Sequence, residues 1–271
     1  MHDAHKLSIS RSCRCAGLSR TAFYTAPVDR MKRDEALIDA LNALVEEFPR
    51  LGFWKYVDIL SQHGYPWNHK RIYRVYCDMG LNQPRRTRRR LPDRAPMPLV
   101  VPLRPNQTWS ADFMSDALYQ GRRFRLFNVI DDYNREALAM EVDTSLRSQR
   151  LVTLFERLKE TRGLPDVLRV DNGPEFLGTA FTDWCRKNDI FIDYIEPGKP
   201  NQNAFIERFN RSVRHEVLDL YLFRSLDQVR ELIEQWRTQY NEQRPHDALG
   251  GLPPRVYAER NPENSSLELS T

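Results

Sequence analysis

No apolar run in this 271-residue chain approaches the roughly 20 residues that a helix needs to cross a bilayer, so no membrane span and no membrane partner are expected. The opening residues, Met1-His2-Asp3-Ala4-His5-Lys6, lack the apolar core of a secretory signal, which makes the cytoplasm the expected compartment. Cysteine is scarce. Cys13 and Cys15 lie close together while Cys77 and Cys185 stand alone, which excludes the disulfide framework of small secreted domains and suits a reducing compartment. His2 and His5 precede Cys13 and Cys15, but the spacing is poor for structural zinc, so none is expected there.

What is present is ordinary in amount and uneven in place. Hydrophobic residues make up 41% of the chain and charged residues 29%, as in soluble globular proteins. The length suits one catalytic domain of about 150 residues with a smaller module. The formal net charge of +4 divides sharply: residues 1–104 carry 19 Lys and Arg against 10 Asp and Glu, whereas residues 105–271 carry 22 against 27. A basic half joined to an acidic half suits a protein that neutralises phosphates with one part and keeps uncompensated carboxylates for metal in the other.

Residues 1–28 hold two short helical pieces around Gly17. Residues 29–84 read as a three-helix module. Leu37, Leu41, Leu44, Val45 and Phe48 recur at helical spacing over 34–48, and a second helix runs over 54–63 and stops at Gly64. The third runs from an Asn68 cap through Ile72, Val75, Tyr76 and Met79 to Gly80. Lys70, Arg71 and Arg74 lie off its apolar face, as on the helix that meets DNA in helix-turn-helix proteins. Residues 85–105 form a linker: Arg85, Arg86, Arg88, Arg89 and Arg90 are placed to track phosphates, and the prolines that follow disfavour helix and central strand. Residues 261–271 are expected to be a disordered tail.

Over residues 106–260 the pattern changes. Strands at 108–118, 124–131 and 136–142 are spaced like a meander. A helix at 147–161, a strand at 167–170, a helix at 175–188, a strand at 191–195 and a helix at 203–218 follow. This order describes an α/β fold: an RNase H-like catalytic core, its mixed sheet flanked by helices, preceded by a small all-helical HTH-like module.

Three acids stand out on separate elements. Alternation puts Trp109, Ala111 and Phe113 on one face of the first strand and leaves Asp112 on the other with Ser110 and Met114, a costly place for a carboxylate unless it pairs or binds metal. Asp116, Asp131 and Asp132 compete with it as turn or edge residues, Asp132 foremost. Asp171 ends an apolar strand, and Asn172-Gly173-Pro174 turns the chain so that the carboxylate meets the carboxyl end of the sheet, where α/β folds place ligands. Glu207 follows after 35 intervening residues, with Asn203, Asn210 and Arg214 on its side of a helix and Phe209, Val213 and Val217 forming the buried stripe. Alone, Asp171 could be a turn residue and Glu207 a surface partner of Arg211. Together the three are what two divalent ions need for in-line attack at a phosphodiester.

Several motifs carry a resemblance: Trp109-Ser110-Ala111-Asp112, Val129-Ile130-Asp131-Asp132 before Arg135-Glu136, and Asp171-Asn172-Gly173-Pro174-Glu175-Phe176. Pro197-Gly198-Lys199-Pro200-Asn201-Gln202-Asn203-Ala204 through Glu207-Arg208-Phe209-Asn210, and Tyr240-Asn241-Glu242-Gln243-Arg244-Pro245-His246, complete it. With the amino-terminal module and its Arg run, the chain resembles over nearly its whole length the retroviral-integrase-like insertion-sequence transposases, specifically the downstream-frame product that carries the DDE catalytic core. The resemblance implies that Asp112, Asp171 and Glu207 are a catalytic, metal-binding triad for two Mg²⁺ ions, with Mn²⁺ able to substitute. It implies release of a 3′-hydroxyl at the element's ends and attack of that hydroxyl on another phosphodiester, with no covalent enzyme intermediate. It further implies double-stranded DNA as partner, both terminal repeats and target, a homo-oligomer on that DNA, and a bacterial cytoplasm with nucleoid association.

Lys199, Asn203, Arg211 and Arg214 are candidate DNA contacts beside the site. In this family an upstream frame usually supplies a helix-turn-helix and zipper, and since no heptad run is present, such a partner or fusion is expected. Gln202-Asn203 stands where many relatives carry Asp-Asn, which marks a branch of the family. Gly52-Phe53-Trp54-Lys55 replaces the usual Gly-x-Arg-Arg, which bears on DNA sequence preference. The competing functions are a structure-selective RNase H-like nuclease, which hydrolyses without joining, and a catalytically silent DNA-binding relic, against which the three intact acids speak. His215 and His246 are expected to pack or hydrogen-bond.

Overall fold

The structure is a computed structural model that describes residues 7–25, 30–82, 101–196 and 203–261. Helices α1 (Ile9–Cys15) and α2 (Arg20–Tyr24) flank Gly17, whose φ of 66° is open to a residue without a Cβ. Ser19 caps α2 by accepting from the Ala22 amide.

Helices α3 (Arg30–Glu47), α4 (Phe53–Gln62) and α5 (His69–Asp78) close round one apolar cluster. Leu37, Leu41 and Leu44 meet Tyr56, Ile59 and Leu60 of α4 and Ile72, Val75 and Tyr76 of α5. Asn68 Oδ1 accepts from the Lys70 amide at 2.8 Å, which fixes where α5 starts. Asp34 lies buried at the α3–α5 contact, accepting from Arg71 Nε at 2.8 Å and from Arg74 Nη2.

The second unit is built on strands β1 (Thr108–Ala117), β2 (Arg123–Asp131), β3 (Ala137–Asp143), β4 (Val167–Val170) and β5 (Phe191–Tyr194). They form a sheet in the order β3-β2-β1-β4-β5, antiparallel across β3-β2-β1 and parallel across β1-β4-β5. Alternation divides β1 between two cores. Trp109 and Ala111 pack with Phe155 of α6 (Ser148–Arg162), Phe176 of α7 (Pro174–Leu177) and Phe181 of α8 (Thr179–Lys187). The expected helix over 175–188 therefore divides at Gly178, where any Cβ would collide with Ser148 of α6.

Met114 faces the other core, with Ile206, Phe209 and Val213 of α9 (Ala204–Val213). The helix expected over 203–218 changes at Arg214 into a π-helical turn, Arg214–Leu218. Beyond the sequence reading lies α10 (Leu226–Glu242), whose Val229, Ile233, Trp236 and Tyr240 complete this core. Its carboxyl end is fastened to β3 by Asn241, which donates to Ala137 O at 3.0 Å and accepts from Ala137 N at 2.9 Å. Arg244 then pairs with Glu216 of the π turn, both side chains 12% exposed. A last helix, α11 (Pro254–Arg260), packs on α10.

The three-helix module docks on the segment that follows α10. Lys55 Nζ donates to Pro245 O at 2.6 Å, and Gln62 Nε2 donates to Gly251 O at 2.7 Å. Arg50 meets His215 of the π turn at 3.1 Å.

Candidate active site

Sheet register positions the first two acids. β1 and β4 pair in parallel as Thr108 with Val167, Trp109 with Leu168 and Ser110 with Arg169, so Asp112 and Asp171 each follow the last pair of this ladder by two residues. β4 itself ends at Val170, and Asn172-Gly173-Pro174 turns the chain into α7. Asp171 Oδ1 accepts from the Gly173 amide at 3.0 Å. A Cβ on residue 173 would stand 2.9 Å from that oxygen and 3.2 Å from Glu175 Oε2, so glycine is what lets the turn close over the carboxylate. Glu175 is held in turn by Arg125 of β2, whose guanidinium lies 4.1 Å from the centre of the Phe113 ring.

Asp112 is held by two asparagines. Its antiparallel partner on β2 is Asn128, and Asn210 of α9 bridges the two: Asn210 Nδ2 donates to Asp112 Oδ2 at 2.8 Å, and Asn128 Nδ2 donates to Asn210 Oδ1 at 2.7 Å. The sequence reading placed Asn210 on the Glu207 side of its helix and gave Asn128 no role. Their link depends on β1–β2 register, which no local pattern displays.

Glu207 sits exposed in the first turn of α9, where the helix dipole favours a carboxylate. It makes no hydrogen bond or ion pair among the described residues, so the alternative pairing with Arg211 is not formed. Burial, together with the charges of Asp171 and Glu207, pushes the Asp112 carboxyl up to about 6, against the pull of the Phe113 amide and Asn210. The three acids are thus in electrostatic reach of one another, and among the described residues no protein cation pairs with any of them. The oxygens are not drawn into a closed cage: among the described residues no group of three His, Cys, Asp or Glu could hold a metal ion as it stands. Unpaired carboxylates that raise a neighbour's proton affinity nevertheless fit a hard divalent cation, which takes oxygen ligands.

The rival acids have structural partners. Asp132 is fully buried, accepting from Ser110 Oγ at 2.9 Å with Arg169 at 3.4 Å, and burial pushes its carboxyl up to about 7. Asp131 accepts from the amides of Asn106 and Tyr133. Asp116 pairs with Arg214.

Among the candidate DNA contacts, Arg214 makes that pairing and also donates to Ser115 O, which ties the π turn to β1. Asn203, another candidate, is 4% exposed and lies at the start of α9. Arg71 and Arg74 both pair with the buried Asp34 carboxylate, which needs compensation, and their hydrogen bonds hold that carboxyl below its usual range. Lys70 and Arg211 are exposed, and their side chains carry no partner among the described residues. Arg85, Arg86, Arg88, Arg89, Arg90 and Lys199 lie outside the described residues, as does the tail beyond Asn261. So do His2 and His5, while all four cysteines are free thiols. His246 lies edge-on to the Tyr240 ring with centroids 4.7 Å apart.

Comparison with known proteins gives this geometry a family. Residues 102–200 and 188–254 match the integrase core domain, and residues 32–90 match an HTH-like domain. The chain is 40% identical over 252 residues to a 39.2 kDa protein of insertion element IS476 of Xanthomonas euvesicatoria, which covers 93% of this chain and 72% of that protein. It is 39% identical over 256 residues to a 31.7 kDa protein of insertion element IS407 of Burkholderia multivorans, which covers 93% and 92%. The chain belongs to the insertion-sequence transposases of the integrase class. In this transposase the integrase-core matches take in Asp112, Asp171 and Glu207, and the HTH-like match takes in α4 and α5. A chain of the simian T-cell lymphotropic virus intasome, solved with the PP2A regulatory subunit B56 gamma, shares the fold with a TM-score of 0.50 and 14% identity, covering 78% of the transposase and 71% of that chain. No helix among the described residues is long and apolar enough to cross a membrane.

Proposed function

We propose that this transposase cuts DNA at the 3′ ends of its insertion element and joins the freed 3′-hydroxyl to target DNA, using Asp112, Asp171 and Glu207. The observation that carries the reading is the meeting of three cation-free carboxylates, among the described residues, from β1, the end of β4 and the first turn of α9, near enough that the charges of Asp171 and Glu207 add to burial in raising the Asp112 carboxyl. These residues would hold Mg²⁺, or Mn²⁺ in its place. A divalent ion bound there supplies positive charge against the phosphodiester as charge grows on its oxygens.

The chain's own residues set the geometry. Asn128 fixes Asn210, and Asn210 keeps one Asp112 oxygen turned toward α9. The Gly173 amide orients Asp171, and α9 presents Glu207 from a rigid, well-packed helix. In cleavage a water oxygen bonds to phosphorus and the P–O3′ bond breaks, which leaves a 5′-phosphate and passes the water's proton to the 3′ oxygen. In joining, that 3′-hydroxyl loses its proton as its oxygen bonds to a target phosphorus, and the target's own 3′ oxygen leaves as a hydroxyl. No bond to the protein forms in either step.

Residues 29–84 would grip DNA and residues 106–260 would carry the chemistry, with 85–105 between them. The working species is a homo-oligomer on DNA in the bacterial cytoplasm, joined or fused to an upstream-frame protein that recognises the terminal repeats. The test uses the purified chain, Mg²⁺ or Mn²⁺ and a labelled branched DNA that mimics the joined product. Rejoined strands that disappear in Glu207→Gln are expected. Cleavage without joining would favour a nuclease, and no metal-dependent activity even with the upstream-frame protein would leave a DNA-binding relic.

A further inference from the structure

On the flank of α9 that bears Glu207, a cavity of about 630 Å³ opens between the three-helix module and the catalytic core. Five cations line it: Lys55 from α4, Arg135 from the turn between β2 and β3, Arg208 and Arg211 from α9, and Arg244 after α10. The anions on its wall are Glu207 and Asp247. Arg244 is already neutralised by Glu216 outside the wall, and Asp247 is shared weakly by Lys55 at 3.9 Å and Arg208 at 3.7 Å. Arg135 has no carboxylate of its own; it donates to Asp132 O and stacks over the Phe205 ring at 3.4 Å. Arg211 has no partner among the described residues. The wall therefore carries more positive charge than it compensates, and the excess grows once Glu207 is neutralised by a cation.

The field of this excess is felt by the cavity's own groups. Burial and the charges of Arg244, Lys55 and Arg208 press the His246 imidazole well below its usual range, so it stands neutral with Nε2 buried and unpaired. Burial and Arg244 likewise lower Lys55. A protein that gathers cations on a wall without matching anions needs an anionic ligand there, and guanidiniums fit phosphate oxygens through paired donors.

We propose that this cavity seats a backbone phosphate of the DNA strand that runs past Glu207, gripped by Arg135 and Arg208 from the core and by Lys55 from the three-helix module. The proposal rests on the strand-transfer reading only in placing that strand beside Glu207. It assigns the Tyr240–His246 segment a role the sequence left open. That segment is both the dock for the three-helix module, through the Pro245 carbonyl, and one wall of the phosphate seat. Docking of the module would complete the seat, since Lys55 is its only contribution from that unit among the cavity's wall residues.

Binding can be read without chemistry. The full chain is titrated in EDTA with the fluorescein-labelled branched DNA over a range of salt concentrations, and anisotropy gives Kd and its salt dependence. Arg208→Gln should weaken binding several-fold and make the slope of log Kd against log salt shallower by about 1, the signature of one lost phosphate contact. Asp247→Asn, which removes the competing anion, should tighten binding. Arg186→Gln on α8, remote from the cavity, is the control. The proposal is overturned if Arg208→Gln behaves like Arg186→Gln, or if Asp247→Asn weakens binding. Joining is scored separately: a chain that joins strands through Glu207 but shows no such shifts loses the phosphate seat alone. A chain that shows the shifts but joins nothing keeps the seat and loses the strand-transfer reading.

Discussion

Replacing Asn210 tests the candidate site where tertiary structure contributes most to it. Asn210 is 9% exposed and donates to Asp112 Oδ2 while accepting from Asn128 Nδ2. In Asn210→Ala the bond to the carboxylate is lost, worth about 1.5–3 kcal/mol, and the fully buried Asn128 amide is stranded at a cost of about 1–3 kcal/mol. Asn128 has no reserve, because its Oδ1 already lacks a partner. The Asp112 carboxyl, raised mainly by burial, loses one of the two bonds that hold it down and rises further above about 6. A carboxylate that is both harder to ionise and held by the Phe113 amide alone should lose roughly 10–100-fold in metal affinity or activity. The assay is single-turnover joining of labelled branched DNA across a Mg²⁺ series, with urea melts in parallel. Asn210→Asp separates donation from packing, since it keeps the shape but, ionised, cannot donate and adds a like charge. Loss of stability with unchanged joining and unchanged Mg²⁺ dependence in both variants would refute the reasoning.

Three further outcomes are expected. Phe155→Ala should cost about 3–5 kcal/mol in urea melts, because Phe155 is fully buried among Trp109, Phe127, Phe181 and Trp184; a change near zero would mean the core is not packed as described. Asp34→Ala should lower the unfolding midpoint far more than Asp39→Ala at an exposed position of the same helix, since only Asp34 accepts from two guanidiniums; equal effects would contradict that role. Burial raises Asp132 from 3.8 to about 7, so the native state holds a proton where the unfolded chain has lost it. Its stabilising contribution is full below about pH 4 and fades as pH rises through about 7, so wild type should lose stability relative to Asp132→Asn over that window by up to about 1.4 kcal/mol per pH unit. His246, pressed below its usual range, acts in the opposite sense and cancels in this difference; wild type that gains stability relative to Asp132→Asn as pH rises would overturn the assignment.

Local pattern carried much of the architecture. Period-two alternation put Asp112 on the face opposite Trp109 and Ala111, and the Asn68 cap and Gly80 bounded the third helix of the amino-terminal module. These are legible because each depends on residues within a few positions of one another. Helix α10 was legible in principle, since Val229, Ile233, Trp236 and Tyr240 keep helical spacing behind a Ser225 cap that accepts from Gln228.

The partners of polar side chains were not legible, and they decide what each residue can do. Arg71 and Arg74 look like free cations on a helix surface, but packing of α5 on α3 brings a buried Asp34 to them. Arg214 follows Glu207 at helical spacing, yet the π turn aims it at Asp116. Sequence named the candidate acids, the five strands and most of the helices, because hydrophobic periodicity and turn chemistry act locally. Only the tertiary structure decided which carboxylates stay uncompensated, which cations answer them and how the amino-terminal module meets the core, because those pairings join residues tens to hundreds of positions apart through strand register and helix packing.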